Sequence, residues 1–456
     1  MINIYISKQI IQIAQVKFVF NHVFDVIGCK YKFVETKSAA NLIYGSKSNE
    51  SKKKIIFLSY NENLWITNNN DFDNFDYNFY DCIHNCHYLL NRIWEKYSVK
   101  DTHGVVTLLN QNKIKFVQKS YIAEFILILK KDILTAFNID TIPLWPNNAS
   151  FCLTLTHDVD EPYKYYKPSY YYDELLWKVR KRKNIFSIAN SALKFSESFF
   201  NNFRKDKNFG FEYWQQFESS YQGKSAFYVA VINPFHSYGH SCDVPYNYDD
   251  YKIKKQLNIL LDKGWEIGLH ASMNSYLKLE RLEEEKYKLE SILGGKKVKG
   301  IRHHYWRLGN DIDTTHKHHF DSGFEYDSSL GLNDSIGFRS GTMWPYKLLN
   351  DSLDKTKSFY QIPPTIMDGN IFYYEDTLEN YYSKIKSHFN YIESMNGCVV
   401  LDWHLEQSNL NRLNGAGQVL AEFFKNELSS KNIFITSPID LLNWWKERKE
   451  LISRLK

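Results

Sequence analysis

Four apolar segments of this chain each run into a cluster of aspartate, histidine or arginine. FCLTLTHDVD ends in Asp158 and Asp160, WEIGLH in His270, KVKGIRHHY in Arg302, His303 and His304, and GCVVLDWH in His404. Successive side chains of an extended segment point to opposite faces, so Phe151, Leu153 and Leu155 share one face and Cys152, Thr154 and Thr156 the other. Amphipathic stretches lie between these segments. IKKQLNILLDKG precedes WEIGLH, LKLERLEEEKYKLESILGG closes on glycine before KVKGIR, and YYSKIKSHFNYIESMNG precedes GCVVLDWH. Strand and helix in turn predict a parallel sheet or barrel. The C-terminal strand ends of such a fold gather on one face, where catalytic residues collect. Clusters far apart in sequence are therefore expected to meet.

Carboxylates are costly to bury alone, so Asp158 and Asp160 are expected to find a metal, an arginine or a shared proton. The competing reading is an Asx-type turn in which both acids cap loop amides. Four polar clusters at four strand ends favour a site over isolated turns.

These segments resemble the polysaccharide deacetylases, carbohydrate esterase family 4, from about Phe151 to the C-terminus. THDVD is similar to that family's first motif, which implies Asp158 as catalytic base and Asp160 as a metal ligand. GLHASMNS is similar to the second motif, which implies His270 as a ligand and puts Asn274 where a second metal-binding histidine usually stands. GIRHHYW implies Arg302 as the residue that holds the base, and VVLDWH implies His404 as general acid. THDVD, GFEYDSS and GFRSGT together resemble a subgroup associated with bacterial surface-polysaccharide gene clusters. The resemblance implies an α/β fold, an incomplete (β/α)7-type barrel, preceded by a smaller α/β accessory domain. It also implies removal of an acetyl group from an N-acetylated sugar, with a divalent metal, zinc being the one expected.

Asn274 bears on the metal, because an amide oxygen suits zinc less well than imidazole does. Ser275, His303 and His304 are alternative ligands, and a loop amide bonding backbone is the plain role for Asn274. Two other readings stay open. One is a deacetylase-fold protein that works without metal or only binds glycan, and the other is a small-molecule amidohydrolase. Arg339 in GFRSGT is expected to bind substrate, as are His303, His304 and Trp403, with a salt bridge as the alternative for Arg339. His316, His318 and His319 read as a solvated helix face, His236 and His240 as loop or cleft residues. Asp327 reads as a helix cap or as a partner orienting His404 or Arg302.

At 456 residues the chain exceeds one ordinary core, and TIPLWPNNAS suggests a boundary between 1–145 and 146–456. NLIYGS and KIIFLSY read as strands and about 81–96 as a helix in the first part. The second carries an insertion at about 161–223, where Lys178, Arg180, Lys181, Arg182 and Lys183 cluster beside Trp177. That cluster is either a solvated helix face or a contact for anionic lipid or a lipid-linked glycan. A net charge of +5 is modest for this length and, with dispersed basic residues, argues against nucleic acid. Six cysteines without paired metal spacing predict reduced thiols and a cytoplasmic protein, peripheral at most to the inner membrane face. The amino terminus lacks a secretion pattern, and no apolar stretch is long enough to span a membrane.

Overall fold

The computed structural model describes residues 1–45, 55–67, 81–101, 104–108, 116–163, 168–201, 208–349, 358–372 and 376–455. Two sheets organise them. Strands β1 (Ile2–Ile6), β2 (Tyr31–Val34), β3 (Leu42–Gly45) and β4 (Ile56–Ser59) form a parallel sheet in the order β2-β1-β3-β4. The helix Ile13–Ile27 connects β1 to β2 and stops at Gly28, whose φ of 83° turns its N–H back to the Phe24 carbonyl.

The larger sheet is built from β5 (Cys152–Val159), β6 (Ala226–Val229), β7 (Glu266–Ala271), β8 (Gly300–His303), β9 (Tyr326–Asp327), β10 (Tyr346–Lys347), β11 (Tyr360–Gln361), β12 (Ile366–Met367), β13 (Cys398–Asp402) and β14 (Phe434–Thr436). Its path runs β10-β11-β9-β8-β7-β6-β5-β13-β12, and β14 pairs with the first half of β5. All pairs are parallel except β10 with β11. The sheet curls into a half-barrel with two free ends, the incomplete barrel expected from the sequence.

Every residue of β5 is buried, as are those of β6, β7, β8 and β13. Such two-sided burial explains why these segments read as near-continuous apolar runs. The helices expected before β7, β8 and β13 form at Tyr251–Asp262, Leu279–Ile292 and Leu378–Ser394. Glycine matters at Gly268 on β7, where a Cβ would stand 2.5 Å from the Tyr228 ring. That ring supports the site's arginine.

The segment joining the two sheets is packed down. Trp145 is buried, and its Nε1 donates to the Asn396 carbonyl at 2.9 Å. The last helix, Pro438–Arg454, lies against the first sheet's layer. Arg448 donates to the carbonyls of Pro143 at 2.7 Å, Ile142 at 3.0 Å and Val26 at 3.2 Å. One continuous apolar core runs from Ile2 through Phe151 to Trp445. None of the six cysteines forms a disulfide. No helix among the described residues is long and apolar enough to cross a membrane.

Candidate active site

β5 extends two residues beyond its apolar run, so Asp158 lies within the strand and Asp160 just past it. Asp158 shares the parity of Thr154 and Thr156 and faces into the half-barrel. Its Oδ1 accepts from Arg302 Nη1 at 2.8 Å, and the same Nη1 lies 2.8 Å from Asp402 Oδ1 on β13. Arg302 is wholly buried and otherwise satisfied. Nε donates to the Ser328 carbonyl and Nη2 to the Ser328 hydroxyl, each at 3.0 Å, and the guanidinium stacks on Tyr228 at 4.3 Å. Removing one member of so buried a pair costs about 3–5 kcal/mol, because the other charge is stranded.

Burial pushes the Asp158 carboxyl up, but Arg302, His270 and His404 outweigh it and hold it below the ordinary value. The outcome at Asp402 is the reverse. Burial dominates over Arg302 there and raises the carboxyl to about 7. Two carboxylates sharing one guanidinium thus separate into an ionised group facing the cleft and a neighbour that takes up a proton near neutrality.

Asp160, His270 and His304 converge beside this pair, with ligand atoms all within 4.8 Å of one another. His270 Nε2 is 3.2 Å from Asp160 Oδ1, and His304 Nε2 is 3.3 Å from Asp160 Oδ2. His270 Nδ1 meets the Arg302 carbonyl at 3.0 Å, which turns Nε2 toward the aspartates. Asp160 Oδ1 and His270 Nε2 are buried without a hydrogen-bond partner. Two imidazoles and a carboxylate with orphaned ligand atoms fit a divalent ion such as zinc. Burial lowers His270, and Asp158 and Asp160 more than reverse this, raising it to about 9. The carboxylates therefore hold a proton where an ion would bind.

Asn274, the ligand implied by its motif position, makes hydrogen bonds with the loop and helix beside it. Its side-chain nitrogen donates to the Tyr238 carbonyl at 3.0 Å, and its backbone carbonyl accepts from Arg281. His304 takes the third place instead. The turn after β8 puts Tyr305 and Trp306 at φ 54° and 51°, a left-handed conformation costing roughly 1–3 kcal/mol for each such residue. His304 meets Asp160, and His303, its neighbour on β8, faces the other way.

His404 follows β13 and completes the site. Its Nδ1 lies 2.8 Å from Asp368 Oδ1, and its backbone N–H donates to Asp368 Oδ2 at 3.0 Å. Nε2 then faces the cleft, 3.5 Å from Asp160 Oδ2. Burial opposes protonation of His404, but Asp368 and Asp160 raise its pKa well above the ordinary value. Asp368 and Asp402 were not singled out from the sequence. The signal was present for Asp402, which sits inside VVLDWH, and for Asp368, which ends the strand run of PPTIMDGN.

The site opens into a cleft of about 490 Å³. Asp158, Asp160, His304 and His404 lie at its floor, and Tyr305, Trp306 and Asn370 are among its walls. Asp101, Val106 and Thr107 also line it, so the amino-terminal part contributes a wall that its sequence did not advertise.

No family model matches the chain, and no curated protein matches it. Solved structures with a similar course of chain include a putative polysaccharide deacetylase from Mycobacterium smegmatis. It is 14% identical, with 67% of this chain and 93% of that chain covered and a TM-score of 0.43. Puue allantoinase is 13% identical over 68% of this chain and 94% of that chain, with a TM-score of 0.45. A probable polysaccharide deacetylase from Pseudomonas aeruginosa is 13% identical over 68% and 95%, with a TM-score of 0.43. These likenesses are distant, and the chemistry rests on the side chains.

Several expected site residues lie elsewhere. Arg339 is buried and forms a two-pronged ion pair with Glu95, Nε to Oε1 at 2.9 Å and Nη2 to Oε2 at 3.0 Å, while Nη1 donates to the Gly331 carbonyl. It bolts the amino-terminal part to the half-barrel, the alternative role foreseen for it. Trp403 is fully buried, its ring edge-on to Phe372 at 5.7 Å. His303 is fully buried, with Nε2 2.8 Å from His319 Nε2. His316 and His319 are buried rather than solvated, because their helix, Ile312–Asp321, packs them against Asp327. Asp327 accepts from the Ser329 hydroxyl and faces neither His404 nor Arg302. His236 lies beside Lys288 and Glu284, and His240 accepts from the Cys242 N–H, both away from the cleft lining.

Proposed function

We propose that the chain is a metal-assisted hydrolase that removes the acetyl group from an N-acetylated sugar, in the assembly of a bacterial surface polysaccharide. The observation that carries this reading is one constellation. An arginine-held carboxylate, Asp158, stands beside the Asp160, His270 and His304 ligand set and opposite a carboxylate-held imidazole, His404.

An acetamide carbonyl is a poor electrophile and neutral water a poor nucleophile. A divalent ion held by Asp160, His270 Nε2 and His304 Nε2 would polarise the carbonyl and acidify water. Asp158 Oδ2 is not taken up by Arg302, and it accepts the proton that water loses as its oxygen bonds to the carbonyl carbon. Arg302 keeps Asp158 ionised and fixed in orientation through that transfer. His404, protonated and held at Nδ1 by Asp368, gives a proton from Nε2 to the departing nitrogen as the carbon–nitrogen bond breaks. Acetate and the free amino sugar leave, and one proton passes from Asp158 to His404 to reset the site. A cleft of this volume suits one or two sugar rings, and Tyr305 and Trp306 in its wall offer faces for them.

The test is elemental mass spectrometry of the purified protein and of Asp160→Ala, with acetate release from N-acetylated oligosaccharides measured on both. About one ion per chain, lost together with activity in the variant, is the expected result. No ion in either protein, with acetate still released, would remove the metal from the mechanism. Ion binding with no acetate released from any sugar would point to the small-molecule amidohydrolase.

A further inference from the structure

The insertion after β5 holds a feature that the hydrolytic site does not use. Helices Pro168–Arg180 and Ile185–Asn201 pair with each other as a hairpin. Lys178 Nζ donates to Ser191 Oγ at 2.7 Å across the pair, and the Tyr172 and Phe195 rings meet at 5.9 Å. The first helix lies along Phe235 in the loop after β6, through Tyr170 at 5.3 Å in its first turn and Trp177 at 6.0 Å in its last. That helix therefore packs along the loop that follows β6.

The turn that joins the two helices carries basic and bare apolar side chains together. Residues 178–186, KVRKRKNIF, carry five basic side chains and no acid. Lys178 pairs with Glu174, and Lys183 lies over the Trp177 ring at 5.4 Å. Arg180, Lys181 and Arg182 are exposed and meet no carboxylate among the described residues. Between them the tip presents Val179 at 52%, Ile185 at 71% and Phe186 at 81% exposure. Large apolar side chains at the apex of a helical hairpin gain nothing from the fold, since they touch almost none of it. Lone basic residues would suit any acidic surface. Basic residues ringing bare isoleucine and phenylalanine fit a bilayer interface, where apolar groups enter the acyl boundary and cationic heads remain among lipid phosphates.

We propose that the hairpin tip is a docking site for an anionic lipid bilayer. The corollary, that docking holds the cleft near a lipid-attached glycan, rests on the deacetylase reading, whereas the docking site itself does not.

The experiment is co-sedimentation of the full chain with vesicles of phosphatidylcholine alone and of phosphatidylcholine mixed with phosphatidylglycerol, at low and high salt. The protein is expected to favour the anionic vesicles at least tenfold and to be released by salt. A variant carrying Arg180→Ser, Lys181→Ser, Arg182→Ser and Lys183→Ser should lose about a hundredfold or more, at about fivefold per basic residue. A second variant, Ile185→Ser with Phe186→Ser, should lose about tenfold or more, from two apolar side chains withdrawn from the interface. Both variants alter exposed positions, so unchanged melting temperature and unchanged acetate release from a soluble substrate verify the fold. Equal partitioning onto both vesicle types, or binding that the four-residue variant retains, would overturn the proposal. So would a dimer that Ile185→Ser with Phe186→Ser dissolves, with no vesicle binding, because a second copy would then be the occupant. If acetate release fails with every soluble sugar while vesicle binding persists, the deacetylase reading falls and the docking site stands.

Discussion

Asp160, His270 and His304 form one group of an aspartate with two histidines, and Asp327, His316 and His319 form another. Both lie on the half-barrel, and in both the ligand atoms approach within 4.8 Å. The first borders the cleft, while the second is sealed between the helix Ile312–Asp321 and β9, with every member at 0–1% exposure. The first has Asp158 beside it, so carboxylates outweigh burial and Asp158 with Asp160 drives His270 up to about 9. The second sets three imidazoles, including His303, around one carboxylate. Burial wins there, lowering His303 to about 3 and His316 and His319 below their ordinary values. Residue type does not separate a reactive centre from a packed polar cluster. Access to substrate and the ratio of carboxylate to imidazole do.

The comparison breaks most directly at Asp158. Asp158→Asn is expected to lower the rate of acetate release about a thousandfold, as loss of a general base does. His319→Gln in the sealed group should leave that rate within about twofold, since no proton in the reaction passes through it. Equal losses in the two variants would erase the contrast.

His404→Gln should cost about a hundredfold in kcat, and Asp368→Asn about tenfold. Asp368 raises the His404 pKa, so its loss lowers that pKa and moves the alkaline limb of the pH–rate profile to lower pH. An unmoved limb would mean that another group supplies the proton.

At the metal, His304→Ala is expected to weaken ion retention after dialysis by tenfold or more, and Asn274→Ala by less than about twofold. Elemental analysis reads both, and the reverse order would restore the ligand set implied by the motif.

The smallest effects are on stability, and they run in opposite directions with pH. The buried histidines have depressed folded pKa values, so their contribution is present above pH 6.5 and lost as pH falls toward 3. His270 has a raised folded value, so its contribution in metal-stripped protein is present below pH 6.5 and lost as pH rises through about 9. Thermal melts should show His303→Gln flattening the acid side and His270→Gln the alkaline side, each by about 1–3 kcal/mol. The same slope in both variants would contradict the assignment.

What the amino-acid order determined by itself was local. Strand alternation, helix periodicity and glycine stops made the β/α succession legible, and Asp158, Asp160, His270, Arg302 and His404 are visible because each directly follows an apolar run. Adjacent positions on one strand end could not be told apart in this way. Alternation along the strand sets His303 and His304 on opposite sides but does not say which of them meets Asp160, and the Asn274 amide follows Tyr238, which lies 36 residues away in the chain. Polar residues on the helix Ile312–Asp321 read as solvated because nothing in their spacing discloses what covers them. Asp368 becomes a site residue only by reaching His404, and Arg339 a structural one only by reaching Glu95 across 244 positions. Periodicity records which residues must avoid water. Which polar groups then face one another depends on loop conformation and on contacts distant in sequence, so only the tertiary structure decided it.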